Sequence, residues 1–282
     1  MNLFELLKKG TALLEEKGIE DADFDAKCLL EYVFEIDRNQ YFLKRFDKAV
    51  EDKKEEFLSL IERRSGGEPL QYIIGKWGFM NGEFFVGEGV LIPRADTEIL
   101  VESAVDFIKS HSNVRTVYDL CSGSGCVGIS IAMMCPDVQV FCVELSDYAF
   151  EYLQKNITLN NVKNVIAVKG DITKGYESFC SDKIDVLVSN PPYIESDEIR
   201  TLSIEVQNEP HMALDGGTDG FDFYRVIGEK WLSYMNKGSF AAFECGETQA
   251  EKLAELYADF SAETNIINDL NGIQRVVSII KN

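Results

Sequence analysis

Residues 114–128 read Val-Arg-Thr-Val-Tyr-Asp-Leu-Cys-Ser-Gly-Ser-Gly-Cys-Val-Gly, and this stretch decides the fold. Residues 114–120 form a short, mostly apolar run of the kind that lies buried in a sheet. Serines and glycines follow, and small apolar residues then continue over 127–134 as a helix. Outward from this unit the alternation repeats. Strands are expected at 138–145, 165–169, 184–189 and 239–244, with a last one at 275–280. Helices are expected at 97–109, where Asp96 and Thr97 are the capping candidates, and at 147–160, 223–235 and 249–260. Strands alternating with helices predict an α/β domain with a parallel sheet covered on both faces. Ligands of such sheets sit at the carboxyl ends of the strands, where the strand order reverses.

Upstream the pattern changes. Leu3, Phe4, Leu6, Leu7, Leu13 and Leu14 recur at helical spacing, with Gly18 as a C-cap. A second helix is expected over 24–34, led by Asp21 and Asp23. A third runs over 49–64, with Phe57, Leu58 and Ile61 on its apolar side, and stops at Gly66-Gly67. Residues 77–86 alternate as a hairpin, with Asn81-Gly82 as the turn signal. The sequence therefore divides into a small helical domain (1–75), a β-hairpin linker (76–92) and an α/β domain (93–282). The helical part is either a bundle that only packs or a surface that docks a partner.

Composition narrows the function. The 282 residues are 45% hydrophobic and 27% charged, as in a globular protein. The net charge is −20, which argues against gripping nucleic acid phosphates and against a polybasic membrane anchor. No run approaches the ~20 apolar residues of a membrane span. The N-terminus is acidic from Glu5 and lacks a signal-peptide pattern. The two histidines, His111 and His211, leave no His-rich metal site. The seven cysteines, Cys180 among them, contain no Cys-x-x-Cys pair and read as reduced thiols. A cytoplasmic protein without metal is expected.

Gly123, Gly125 and Gly128 satisfy Gly-x-Gly-x-x-Gly between a strand and a helix, where the backbone approaches a ligand closely and offers free N–H groups. Glu144 ends the next strand and is placed to accept hydrogen bonds from both hydroxyls of a ribose. Three readings remain open at this point: a dinucleotide of the NAD type, S-adenosylmethionine, or a tight turn that binds nothing. Asp119, just before the loop, either orients a ligand or caps the turn.

A second motif is sharper. The apolar strand 184–189 runs into Asn190-Pro191-Pro192-Tyr193. Two prolines end the ladder and contribute no N–H, so their carbonyls are left as acceptors. Asn190 then stands at the carboxyl end of the strand, beside the flat face of Tyr193. Such a pocket accepts hydrogen bonds from an NH₂ group and packs against its planar framework. An amide or exocyclic amine is a poor nucleophile, and oriented acceptors that hold its protons raise electron density on the nitrogen. In-line attack on a sulfonium methyl would follow, with no strong base needed first.

Together, Asn190–Tyr193, the loop over 119–128 and Pro93-Arg94-Ala95-Asp96-Thr97-Glu98 resemble the HemK-type peptide chain release factor glutamine N5-methyltransferases. The resemblance extends over essentially the whole chain, including Glu209-Pro210, Gly216-Gly217 with Gly220, and the closing Asn271-Gly272-Ile273-Gln274-Arg275-Val276. The Asn-Pro-Pro-Tyr motif alone is shared with adenine N6-methyltransferases of DNA and RNA, which remain the alternative. The resemblance implies a Rossmann-like class I methyltransferase sheet. It implies S-adenosylmethionine as cofactor, held by Cys121, Ser122, Gly123, Ser124 and Gly125, by Glu144 on the ribose, and by Asp171 and Ile172 beside the adenine. Asn190 would lie between cofactor and substrate. Asn190, Pro191 and Tyr193 would be catalytic, and Asn190, Pro191, Pro192 and Tyr193 would hold the glutamine of a Gly-Gly-Gln motif. The partner would be a release factor, docked by residues 1–75, with no direct nucleic acid or membrane contact and with the enzyme a monomer.

The chain departs from the family pattern twice. Ala95 stands where a second proline is usual, and Cys121 stands where glycine is usual. Arg94 and Glu98 are expected as an ion pair near the site. Residues 195–222 carry eight acids and one Arg, as a solvated loop or a lid.

Overall fold

The computed structural model describes residues 1–178 and 184–282, so Cys180 lies outside the described residues. The chain divides into two compact units, 1–75 with 203–208, and 76–202 with 209–282. Residues 76–92, read above as a linker, belong to the second unit.

The first unit is helical: α1 (Leu3–Glu16), α2 (Ala22–Phe34), α3 (Arg38–Lys44), α4 (Glu51–Ser65) and α5 (Leu70–Ile74), with a short helical turn at Ile204–Gln207. Asn2 and Glu5 form a reciprocal cap on α1: the Asn2 side chain accepts from the Glu5 amide at 2.8 Å, and the Glu5 carboxylate accepts from the Asn2 amide at 3.0 Å. Asp37 and Gln40 repeat the arrangement on α3. Leu6, Leu14, Leu29, Leu30, Phe57 and Ile61 are fully buried between α1, α2 and α4. Helices α3 and α5 were not expected. No residue of α3 is buried, so it carries no apolar periodicity, and α5 is five residues long. At the centre of the unit, buried Arg64 donates to Asp25 at 2.6 Å and to Glu205.

The second unit opens with β1 (Lys76–Phe79) and β2 (Gly82–Phe85), followed by α6 (Glu98–Ser110), β3 (Thr116–Leu120), α7 (Cys126–Met134), β4 (Gln139–Glu144), α8 (Asp147–Leu159), β5 (Val165–Lys169), β6 (Ile184–Ser189), α9 (Asp222–Lys230), β7 (Met235–Glu244), α10 (Ala250–Leu256), β8 (Ser261–Asn268) and β9 (Gln274–Lys281). The hairpin forms in a register other than the expected one. Phe79 pairs with Gly82, so Met80 and Asn81 are the loop residues, with Met80 at φ 50°. Gly82 is needed by packing instead, since a Cβ there would meet Asn160 Oδ1 at 2.9 Å.

Among the described residues the main sheet has the order β5-β4-β3-β6-β7-β9-β8. Strands β3 to β7 are parallel, but β9 runs antiparallel to both β7 and β8, which corrects the all-parallel expectation. Strand β8 was not expected. It is one of the two edge strands and none of its residues is buried, so it lacks the apolar signal of its neighbours. The central strands are buried on both faces. In β6, Val186 and Val188 join the core under α6, α7 and α8, while Leu187 joins the core under α9 and α10, where Tyr118, Tyr224, Trp231 and Tyr257 pack. No helix among the described residues is long and apolar enough to cross a membrane.

Candidate functional site

The sheet order reverses between β3 and β6, and the carboxyl ends of β3, β4 and β6 open there onto a cleft. The strand-to-helix loop after β3 shapes its floor. Cys121 turns the chain with φ 59°, in the left-handed region that glycine adopts without cost. Ser122 Oγ donates to the Asp119 carbonyl at 2.7 Å, and the Gly125 amide donates to the Ser122 carbonyl at 2.8 Å. The Asp119 carboxylate accepts from the Gly128 amide at 3.0 Å, fastening the end of β3 to the first turn of α7. Burial pushes the Asp119 carboxyl up to about 7. The third glycine of the motif serves packing, since a Cβ at Gly128 would lie 2.4 Å from Cys142 Sγ.

Glu144 ends β4, almost fully buried, with one oxygen accepting from the Gly123 amide at 2.8 Å and the other from the Ser146 amide at 2.6 Å. The Leu145 amide also bears on this carboxylate, which borders the cleft and remains an acceptor for a ligand donor. Burial raises the Glu144 carboxyl above its ordinary value, against the pull of those amides. Beyond β5, Asp171 accepts from the Thr173 amide at 2.9 Å and the Thr173 hydroxyl at 2.6 Å, which hold its carboxyl below the usual range, and Ile172 packs buried beside it.

Asn190 follows β6 directly. Its Nδ2 donates to Thr97 Oγ1 at 3.3 Å. The preceding Ser189 donates to the Leu120 carbonyl at 2.7 Å, locking β6 to β3 at their ends. Tyr193 donates its hydroxyl to Glu244 Oε1 at 3.3 Å, and its carbonyl accepts from Gln249 Nε2 at 2.9 Å. Of the residues singled out by sequence, Cys121, Ser122, Gly123, Ser124, Glu144, Asp171, Ile172, Asn190 and Pro192 line the cleft. Gly125, Pro191 and Tyr193 do not.

The expected Arg94–Glu98 pair is not the one formed. Arg94 donates to Glu209, whose buried carboxylate also accepts from the Ile92 amide at 2.9 Å, while Glu98 accepts from the Met80 amide at 2.7 Å. The acidic stretch 195–222 is not a bare solvated loop either. Asp215 accepts from Ser196 and from the Gly217 amide, Asp219 pairs with Arg225, and Pro210, Met212 and Ala213 line the cleft. Sequence reasoning names Thr97 only as a cap and motif residue, Glu209 only within a motif and Glu244 not at all, because each meets its partners from a distant part of the chain.

Two family models match the chain: the PrmC N-terminal domain over residues 5–75, and the methyltransferase small domain over residues 96–209. A release factor glutamine methyltransferase of Thermodesulfovibrio yellowstonii is 38% identical, with 91% of this chain and 92% of that protein covered. One of Clostridium botulinum is 36% identical, with both chains covered completely. Among solved structures, the hMettl16 catalytic domain in complex with a MAT2A 3'UTR hairpin superposes with TM-score 0.55 at 12% identity, covering 82% of this chain and 80% of that one. The T. Thermophilus 16S rRNA N2 G1207 methyltransferase gives 0.50 at 16%, covering 73% and 50%. At those identities the likeness is one of fold, and the fold is that of the class I methyltransferases.

Proposed function

This chain belongs to the release factor glutamine methyltransferase family, and on that premise we propose that it transfers a methyl group from S-adenosylmethionine to the N5 nitrogen of the glutamine in the Gly-Gly-Gln motif of a peptide chain release factor. The observation that carries this reading is the end-to-end match to the Clostridium botulinum relative, which leaves no part of either chain uncovered.

The cleft fits S-adenosylmethionine. A Cβ at Gly123 would meet nothing within 4 Å, and the φ of 55° there turns the loop backbone open beside Glu144. Bound here, S-adenosylmethionine supplies an electrophilic sulfonium methyl. Glu144, its carboxylate held in place by the Gly123 and Ser146 amides, would receive the ribose hydroxyls. Asp171 and Ile172 flank the adenine, and the loop 121–125 holds the amino acid end.

Asn190 holds the target. Its nitrogen is committed to Thr97, so Oδ1 is the atom left to accept a proton from the glutamine NH₂. The Pro191 carbonyl is the second acceptor in this reading, and Pro192 supplies apolar wall. A fixed amide nitrogen would attack the methyl in line as the S–CH₃ bond breaks and the thioether S-adenosylhomocysteine leaves; its surplus proton becomes acidic only after the new C–N bond has formed and is then lost to water, so no strong base is needed beforehand. Residues 1–75 dock the release factor. The enzyme acts as a monomer in the cytoplasm without touching nucleic acid directly, in keeping with 16 Lys and Arg against 31 Asp and Glu in residues 76–282.

Labelled S-adenosylmethionine offered in parallel with release factor, DNA and RNA tests this. Label is expected in the release factor, at the glutamine of Gly-Gly-Gln. Label in DNA or RNA alone would overturn the reading in favour of adenine N6 chemistry.

A further inference from the structure

Glu244 ends β7 fully buried, and its Oε2 has no hydrogen-bond partner. A buried carboxyl with one oxygen unsatisfied costs the fold stability. What surrounds it is the motif region. Tyr193 donates to its Oε1, and the Thr97 side chain lies near enough to the same carboxyl to lower its proton affinity. Thr97 in turn accepts from Asn190 Nδ2. Glu244 does not line the cleft.

We propose that Glu244 is a positioning residue whose ionised carboxylate orients the Thr97 hydroxyl, and through it the Asn190 carboxamide, so that Asn190 presents oxygen rather than nitrogen to the target NH₂. This rests on the reading of Asn190 as the holder of the glutamine amide. The argument is a count of protons. The Thr97 hydroxyl has one proton. When an ionised carboxylate takes it, only lone pairs face Asn190, so Asn190 must turn its NH₂ toward Thr97 and its oxygen away. When Glu244 is protonated it donates to Thr97 instead. The Thr97 proton then swings toward Asn190, the carboxamide turns over, and an NH₂ group is offered to an NH₂ group.

The environment places this change near neutrality. Burial and the charge of Asp96 push the Glu244 carboxyl up to about 7, while Thr97, Tyr193 and Arg275 pull it down. The other titratable groups that face it, Cys126, Cys245 and Tyr224, are raised by their own burial and stay neutral. Methyl transfer should therefore rise with pH through about 7.

The test uses the full-length enzyme with release factor as substrate. It measures kcat, KM and S-adenosylmethionine affinity across neutral pH for the wild type and for Glu244→Gln, Thr97→Val, Thr97→Ser and Asn190→Ala. Glu244→Gln and Thr97→Val should each lower kcat on the order of 10²-fold, leave cofactor affinity unchanged and abolish the rise through neutrality. Thr97→Ser, which keeps the hydroxyl, should restore both rate and profile. Wild-type kcat in Glu244→Gln or Thr97→Val would overturn the proposal, and so would a slowed enzyme that keeps the wild-type pH profile. If Glu244→Gln fails to fold, the Val and Ser variants at Thr97 decide alone. Asn190→Ala separates the two levels. Slow Asn190→Ala with fast Glu244→Gln removes the relay alone, whereas wild-type rate in Asn190→Ala removes the site reading itself.

Discussion

Asn156 and Phe85 exchange two hydrogen bonds: the Asn156 oxygen accepts from the Phe85 amide at 2.7 Å, and its nitrogen donates to the Phe85 carbonyl at 3.1 Å. The same nitrogen donates to the Ser124 carbonyl at 2.9 Å, so one fully buried side chain on α8 ties the hairpin to the glycine loop. Asn156→Leu keeps the volume and removes all three bonds. Each backbone group left unpaired costs about 1–3 kcal/mol, so destabilisation of about 3 kcal/mol or more is expected, together with weaker cofactor binding. Urea unfolding measures the first effect and calorimetry the second. An unchanged urea midpoint would show that the hairpin holds without this side chain.

Glu144→Ala should weaken S-adenosylmethionine binding tenfold or more. Each charged hydrogen bond to the ribose is worth roughly 1.5–3 kcal/mol, and the Gly123 amide loses its acceptor as well. Titration calorimetry on the variant reads the change directly, and an affinity equal to wild type would rule out the ribose contact.

Asn190→Ala should cut the single-turnover rate at saturating cofactor by about 10²–10³-fold while leaving cofactor affinity nearly unchanged. Asn190→Asp keeps an acceptor but sets a negative charge near the sulfonium. It should also slow transfer while changing cofactor affinity more than Ala does.

Stability should fall as pH rises from about 4 to about 7, through two buried carboxyls. Asp119 and Glu244 are raised from 3.8 and 4.5 to about 7 each. A raised value in the folded state means that the native protein binds more protons than the unfolded chain between the two values. Their contribution is therefore complete below the unfolded values and is lost as pH passes through the folded ones. Urea midpoints measured across this interval for wild type, Asp119→Asn and Glu244→Gln check the sign: each variant should flatten part of the slope.

In the first unit, Asp25→Ala should destabilise by about 3–5 kcal/mol, because it leaves Arg64 buried with half of its pairing gone. Glu205→Ala, which removes the more exposed partner, should cost distinctly less. Chemical denaturation of the two variants side by side tests the order.

What the sequence made legible follows from how local each signal is. Strands β5 and β6 fall where the apolar runs place them: β6 is buried on both faces and announces itself by composition, and β5 is marked by its run of aliphatic residues. The end of β6 is marked by its two prolines. Strand β8 and helix α3 are invisible for the opposite reason: neither buries a residue. The hairpin register departs from the one the strongest turn dipeptide predicts, and Asn160, at the end of α8 far along the chain, exchanges hydrogen bonds with the Glu83 backbone in the register that forms. The candidate site divides in the same way. The glycine loop, Glu144 and Asn190 sit in or beside contiguous motifs and meet at one cleft. The couplings Arg94–Glu209, 115 residues apart, and Asn190–Thr97, 93 apart, exist only once the sheet has assembled.

The helical unit is discontinuous, and this has a consequence for biosynthesis. Residues 203–208 supply Glu205 to Arg64, pack Ile204 against Gly67, and donate from Asn208 to the Gly67 carbonyl at 2.8 Å. On a ribosome adding roughly 5–20 residues per second, this closing piece emerges on the order of ten seconds after residue 75. During that interval the nascent helices stand with Arg64 held by Asp25 and the Glu68 carbonyl but without Glu205, and with Gly67 uncovered. The first-made part of the chain is thus among the last to be completed, and a nascent chain stalled short of residue 208 would expose an unfinished bundle to proteases and chaperones.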